Sequence, residues 1–187
     1  MFYKSVYYNT GDNMKKLLLG LPLLLIGCDG YNGNAHSDVY LTTSNGLGQK
    51  IGDVYFTDTA SGLLVNVDLK NLPAGEHGFH IHENPDCGVM NDADGNPQPG
   101  LKAGGHYDPD KTGRHMGPNQ QNGHRGDLPV LVVSGDGSVK TSFTVPNLRV
   151  KEIKNRSIMV HANGDNYSDE PVALGGGGAR IACGVIK

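Results

Sequence analysis

Six of the chain's eight histidines, His77, His80, His82, His106, His115 and His124, fall within 48 consecutive residues, and imidazoles gathered in this way are the raw material of a metal site. His80 and His82 stand at i and i+2 in Gly78-Phe79-His80-Ile81-His82-Glu83. In an extended chain both rings leave the same face and can share one ion. Taken alone, such a pair also suits a solvated strand face. His106, His115 and His124 recur nine residues apart in a Gly-rich stretch, and Asp127 follows three residues after the last. Three imidazoles and one carboxylate make a closed tetrahedral set of the kind zinc accepts, against which stands an ordinary polar surface loop. His161 closes a distant apolar stretch, where a strand-end histidine with a satisfied ring is the competing reading. Imidazole ligands suit Zn, Cu, Fe or Ni, and a tetragonal four-nitrogen set would point to Cu(II). Met90 and Met116 do not alternate with the histidines, so a sulfur-rich copper-trafficking site is not indicated. Residue types alone thus lead to a His-rich site for more than one ion, and the sorting of ligands between ions stops there.

The elements that must hold these residues read as strands. Alternating or β-branched apolar stretches lie near 38–43, 49–58, 62–70, 76–83, 128–133, 138–145, 156–161 and 179–186. Asn45-Gly46, Ser61-Gly62 and Asp136-Gly137 supply turns between them. No stretch keeps a helical period. The prediction is an all-β fold, an eight-stranded Greek-key β-barrel or sandwich with two long functional loops, 84–127 and 162–178. Loops of that length need a function or a tether in a compact domain, and the first of them carries both the histidine cluster and Cys87.

With 16 Lys and Arg against 19 Asp and Glu, a net charge of -3 and no basic run, the chain lacks the electrostatic footprint of nucleic-acid binding. Lys15 and Lys16, the apolar run 17–26, Gly27-Cys28 and the polar stretch 29–37 have the layout of a secretory signal, with Met14 as the natural start. That apolar run is too short to span a bilayer. The sequence therefore divides into a leader over 1–27, a short linker over 28–37 and one domain over 38–187. Leu25-Ile26-Gly27-Cys28 looks like a lipobox, which would place a lipid anchor on Cys28; cleavage after Gly33-Asn34-Ala35 is the alternative. Both place the domain outside the cytoplasm, in the periplasm, where disulfides persist. Cys87 and Cys183 then remain as an even pair and are predicted to be bridged. Closing a loop of that size limits the unfolded chain by roughly 4 to 5 kcal/mol at most.

At these residues the chain resembles the copper-zinc superoxide dismutase family, in particular its bacterial periplasmic branch. Gly78-Phe79-His80-Ile81-His82-Glu83 is similar to the family's copper strand. Ala103-Gly104-Gly105-His106-Tyr107-Asp108-Pro109, His115-Met116-Gly117-Pro118 and Gly123-His124-Arg125-Gly126-Asp127-Leu128-Pro129 resemble its zinc loop. The stretch 161–169 and the run Gly175 to Ile186 resemble its closing signature, and the likeness spans roughly 38–187. The resemblance implies one copper held by His80, His82, His106 and His161 and one zinc held by His106, His115, His124 and Asp127, with the His106 ring shared between them. It also implies that Asp165 orients one ligand of each metal, that Cys87 and Cys183 form the family's disulfide, and that Arg180 and His106 act in catalysis. His77 matches a position that braces backbone, whereas Asp169 reads as a surface loop acid. Asn163 stands where bacterial relatives more usually have Gly, a change that a left-handed backbone would accommodate. Loop 162–178 holds Asp165, Asp169 and Glu170 but no Lys or Arg, so guidance of an anion by that loop is in doubt, and Lys102 is a substitute source of charge.

The activity so implied is disproportionation of two superoxide radicals to oxygen and hydrogen peroxide. The rival from another class is a periplasmic copper or zinc store without catalysis; a second is an adhesion-type β sandwich with incidental histidines. The sequence leaves both a monomer and a homodimer open.

Overall fold

The computed structural model describes residues 33–187; the leader, Met14 and the lipobox with Cys28 lie outside the described residues. Strand β1 (Asn34–Thr43) turns through Asn45-Gly46 into β2 (Gly46–Thr59), and Ser61-Gly62 leads into β3 (Gly62–Leu69). The alternation in β3 shows why this segment is a strand: Leu63, Val65, Val67 and Leu69 are buried, while Asn66 and Asp68 between them face outward. Then follow β4 (Gly75–His77), β5 (Phe79–His82), the two-residue strands β6 (Met90–Asn91) and β7 (Pro97–Gln98), β8 (Leu131–Val133), β9 (Val139–Val145), β10 (Ser157–His161) and β11 (Arg180–Val185). All pairings are antiparallel.

Seven strands form one sheet in the order β5-β10-β11-β1-β2-β3-β9, and β4 pairs separately with β8. Because β4 and β5 are nearly continuous, and β8 runs by a short turn into β9, the sheet curls around its main apolar cluster, with a smaller one of Cys87, Ala103, Met159 and Cys183 beside it. Phe56, Leu63, Val65, Phe79, Ile81, Leu131, Ile153 and Ile158 fill the main cluster, each at most 1% exposed.

The fold class is the expected one, with local differences. The stretch 76–83 is not one strand. At Gly78 the backbone leaves the ladder, its N–H donating to Asn163 O and its carbonyl accepting from His161 N, each at 2.8 Å. One apolar stretch thereby serves two neighbours, β8 and β10. The chain also enters the sheet earlier than expected. Residues 34–37, read as linker, belong to β1 because they pair with residues 54–57 of β2. His36 is therefore a strand residue, its ring stacked 6.4 Å from Tyr55. A one-turn helix, α1 (Val150–Ile153), precedes β10 and buries Val150 and Ile153. Among the described residues no helix is long and apolar enough to cross a membrane.

Candidate metal centre

All four residues of β5 are buried, which a solvated strand face would not be. Phe79 and Ile81 point into the barrel, and the other face, carrying His80 and His82, is covered by the long loop after β5. That loop runs back along the strand edge. Tyr107 N donates to Ile81 O at 2.8 Å, Ile81 N to Gly126 O at 2.9 Å and Leu128 N to Phe79 O at 3.2 Å. Two isolated bridges result, His80 with Asp127 and His82 with His106. Backbone pairing thus sets a carboxylate and a third imidazole opposite the two strand histidines. His161 arrives from the end of β10, whose register places Met159 against His80.

Two groups of ligand atoms lie within 4.8 Å of one another: His80, His82, His106 and His161, and His80, His106, His115 and Asp127. His124 borders the second group, its Nδ1 3.5 Å from Asp127 Oδ1 and its ring 5.4 Å from that of His106. The partners of the other ring atoms show which nitrogens are free. His80 Nε2 is 2.7 Å from Asp165 Oδ2, His82 Nδ1 is 2.9 Å from Gly104 O, and His161 Nδ1 is 3.3 Å from Gly178 O. His115 Nε2 is 2.7 Å from Asp165 Oδ1. What is left turns inward: His82 Nε2 and His161 Nε2 stand 3.4 Å apart. His80 Nδ1, His106 Nε2, His115 Nδ1 and His124 Nδ1 are buried without any hydrogen-bond partner.

An unpaired buried nitrogen is costly, and four in one place call for a group that takes lone pairs. His115 Nδ1 lies 2.9 Å from Asp127 Oδ2 yet lacks hydrogen-bond alignment, as two atoms do when both face a third point. The donor set therefore fits metal ions. His80 belongs by proximity to both groups, but Asp165 occupies its Nε2, so one ring nitrogen is free and it can serve only one ion.

Electrostatics agree. Burial holds His106 down to about 4, against the pull of its hydrogen bond to Asp127. Burial also holds His161 at about 3, with His80 and His106 adding to the effect, and pushes His82 well below its ordinary value with help from His106 and Arg180. These three rings are neutral near pH 7, with lone pairs available. His115 differs. Burial lowers it too, but hydrogen bonds to Asp127 and Asp165 outweigh that and raise it to about 9. Burial raises Asp127 and Asp165, yet the histidines around them hold both well below the usual carboxylate range.

The second loop, after β10, brings Asp165 onto the cluster, its carboxylate between His80 and His115 with a fully buried side chain. Gly175 makes that approach possible: at φ 71°, a Cβ there would stand 1.9 Å from Asp165 Oδ1. Arg180 opens β11 half-buried, Nη1 donating to Gly100 O and Nη2 to Gly104 O, both at 2.7 Å. Gly104 O thus meets both the guanidinium and His82. Cys87 and Cys183 are bonded, which ties the first loop to β11 across 96 residues. The His77 ring sits between the carbonyls of His161 and Pro73, at 2.7 and 2.9 Å, and braces backbone.

Two sequence expectations differ from the structure here. Asn163 is not among the residues of positive φ; its side chain instead donates to Gly176 O at 3.0 Å, fastening the loop on itself. Asp169 is no free surface acid, since His115 N donates to its Oδ2 at 2.9 Å. Tyr167 was in no candidate set, yet its hydroxyl accepts from Val130 N at 3.0 Å. Only the acidic character of this loop hinted at such contacts.

The family model "Copper/zinc superoxide dismutase (SODC)" matches residues 50–186. A superoxide dismutase [Cu-Zn] of Escherichia coli strain K12 is 46% identical over 175 residues, covering 93% of this chain and 100% of the relative. The structure of the Cu/Zn superoxide dismutase from Brucella abortus superposes with a TM-score of 0.79 at 47% identity, over 83% of this chain and 100% of that one. The solution structure of the monomeric copper, zinc superoxide dismutase from Salmonella enterica gives 0.73 at 49%, with the same coverage. Agreement of this extent, in sequence and in backbone alike, settles the kinship: the chain belongs to the copper/zinc superoxide dismutase family.

Proposed function

We propose that the chain is a superoxide dismutase with one copper and one zinc per subunit. His80, His82, His106 and His161 would hold copper, and His106, His115, His124 and Asp127 would hold zinc. The observation that carries the reading is the His106 ring. It has Nδ1 2.9 Å from Asp127 Oδ1 and a buried, unpartnered Nε2 facing the other three histidines, so one ring serves both groups.

When bound, copper supplies the one-electron redox change and zinc a fixed charge without redox. The chain's own groups do the rest. With Nδ1 given to zinc, His106 Nε2 would hold a proton whenever it is not on copper, and from there could pass it to the reduced anion. Arg180 is pinned by two carbonyls, so its guanidinium offers a fixed positive charge and spare N–H donors to a small anion at the mouth of the site. Asp165 fixes the ring direction of one ligand in each set through its two oxygens. In balance, two superoxide radicals and two protons give oxygen and hydrogen peroxide. A metal store needs neither an anchored guanidinium nor an Asp165 linking the two sets, and the relatives are named as dismutases.

Export to the periplasm, with lipid on Cys28, is part of this reading. It is supported by the run from Lys15 to Cys28 in the sequence and by the disulfide, which persists in an oxidising compartment. Sedimentation of the full chain distinguishes a monomer from a homodimer.

Pulse radiolysis of the copper- and zinc-loaded protein tests the activity. Superoxide is expected to disappear far faster than in buffer; decay at the buffer rate would contradict the proposal.

A further inference from the structure

We propose that Asp169 is a positioning residue for His115, holding this zinc-set ligand by its main chain while Asp165 holds it by its ring; the inference rests on the metal-site reading above. The need for such a residue follows from how the other members of the zinc set are placed. His106 and Asp127 are fixed by bridges to β5. His115 has no such bridge and lies in a stretch, 108–123, without strand or helix. Its neighbour Arg114 accepts a bond from His124 N at 3.0 Å, so a drift of this stretch would carry two ligands with it.

The second loop supplies what the strand does not. Asp169 takes two main-chain donors, His115 N at 2.9 Å on Oδ2 and Leu174 N at 3.2 Å on Oδ1, and so ties the metal loop to its own loop. Three residues separate Asp165 from Asp169, and Tyr167 between them turns at φ 59°, which lets both carboxylates reach back to one residue. Tyr167 closes the same turn elsewhere. Its N–H donates to Asp165 Oδ1 at 2.7 Å, its ring packs on Gly117, where a Cβ would come within 2.6 Å, and its hydroxyl reaches Val130. His115 is thus gripped at ring and backbone by a single turn of chain, and Asp169 is the half of that grip that touches no ligand atom.

Zinc release to a chromogenic chelator, and the visible spectrum of cobalt(II) placed in the zinc set, are measured on the intact, disulfide-bonded protein as wild type, Asp169→Ala, Asp169→Asn and Tyr167→Phe. Loss of a supporting partner of a metal ligand typically weakens metal binding by about tenfold or more. Asp169→Ala is expected to release zinc about tenfold faster and to shift the cobalt spectrum, with copper release changed by less than about twofold. Asp169→Asn keeps the side-chain size but turns an amide NH₂ toward one of the two N–H donors, and is expected to fall between Asp169→Ala and wild type. Tyr167→Phe loosens the same turn without freeing His115, so it is expected to lower the melting temperature but not to hasten zinc release. Wild-type zinc release in either Asp169 variant, equal acceleration by Tyr167→Phe, or parallel loss of copper would overturn the proposal. A wild-type protein that takes up no zinc would overturn the metal-site reading and this inference with it.

Discussion

At the scale of single residues, a metal site can depend on groups that are not ligands. On the proposed reading, Arg180, held by Gly100 O and Gly104 O, contributes charge and direction rather than metal binding. Arg180→Ala is expected to slow superoxide consumption by about tenfold or more, the range over which a local field alters capture of a charged substrate. Metal content by atomic absorption should stay at the wild-type level; unchanged consumption would remove the role assigned to the guanidinium. Asp165 supports both sets. Asp165→Ala is therefore expected to weaken copper and zinc together, each by about tenfold or more, in a chelator competition. Weakening of one metal alone would show that the carboxylate serves one ligand. How legible these residues were depended on whether their partners lie in a recognisable motif. His80, His82, His106, His115, His124 and Asp127 announce themselves by type and spacing. Asp169 does not, because its partner is 54 residues away and the contact is to backbone, which leaves no trace in side-chain pattern.

At the scale of elements, β3 could be read from its alternation because its inward residues are apolar and its outward ones polar. The break between β4 and β5 could not, since its cause is the pairing of Gly78 with residues 161 and 163, over eighty positions on. β5 itself hides its nature. Phe79, His80, Ile81 and His82 are buried on both faces, one by the barrel and one by the loop, so a polar pair there looks like solvent exposure until the loop is in place. The Cys87–Cys183 bond ties that loop to β11 and, with Arg180 on Gly100 and Gly104, sets the wall of the site. Replacing both cysteines by serine is expected to lower stability by up to roughly 4 to 5 kcal/mol, a model-dependent limit for a loop of this size. Denaturant unfolding of the metal-loaded protein measures it, and an unaltered midpoint would show that the loop is held by its metal contacts alone.

At the scale of the whole molecule, burial of a histidine cluster ties folding to proton binding. His82, His106 and His161 have folded values below the ordinary one of about 6.5. As pH falls below about 6.5 the unfolded chain takes protons that the folded chain refuses, so the metal-free protein loses stability progressively toward the folded values of His106 and His161, about 4 and about 3. His115, raised to about 9, acts in the opposite sense: its contribution is full below about 6.5 and fades as pH rises toward 9. Thermal melts of the metal-free protein should therefore fall on the acid side of pH 6.5, and constant melting temperature from pH 7 to 4 would contradict the burial argument. Metal binding adds stability to the folded state only, so the loaded protein should melt higher than the metal-free one. The overall charge of -3 opposes approach of an anion, which leaves attraction to the local field at the site. The most direct test of the central claim is anomalous diffraction recorded at the copper and zinc absorption edges. Two different ions, each bonded to one nitrogen of the His106 ring, are the result this account predicts; a single ion, or two that share no ring, would contradict it.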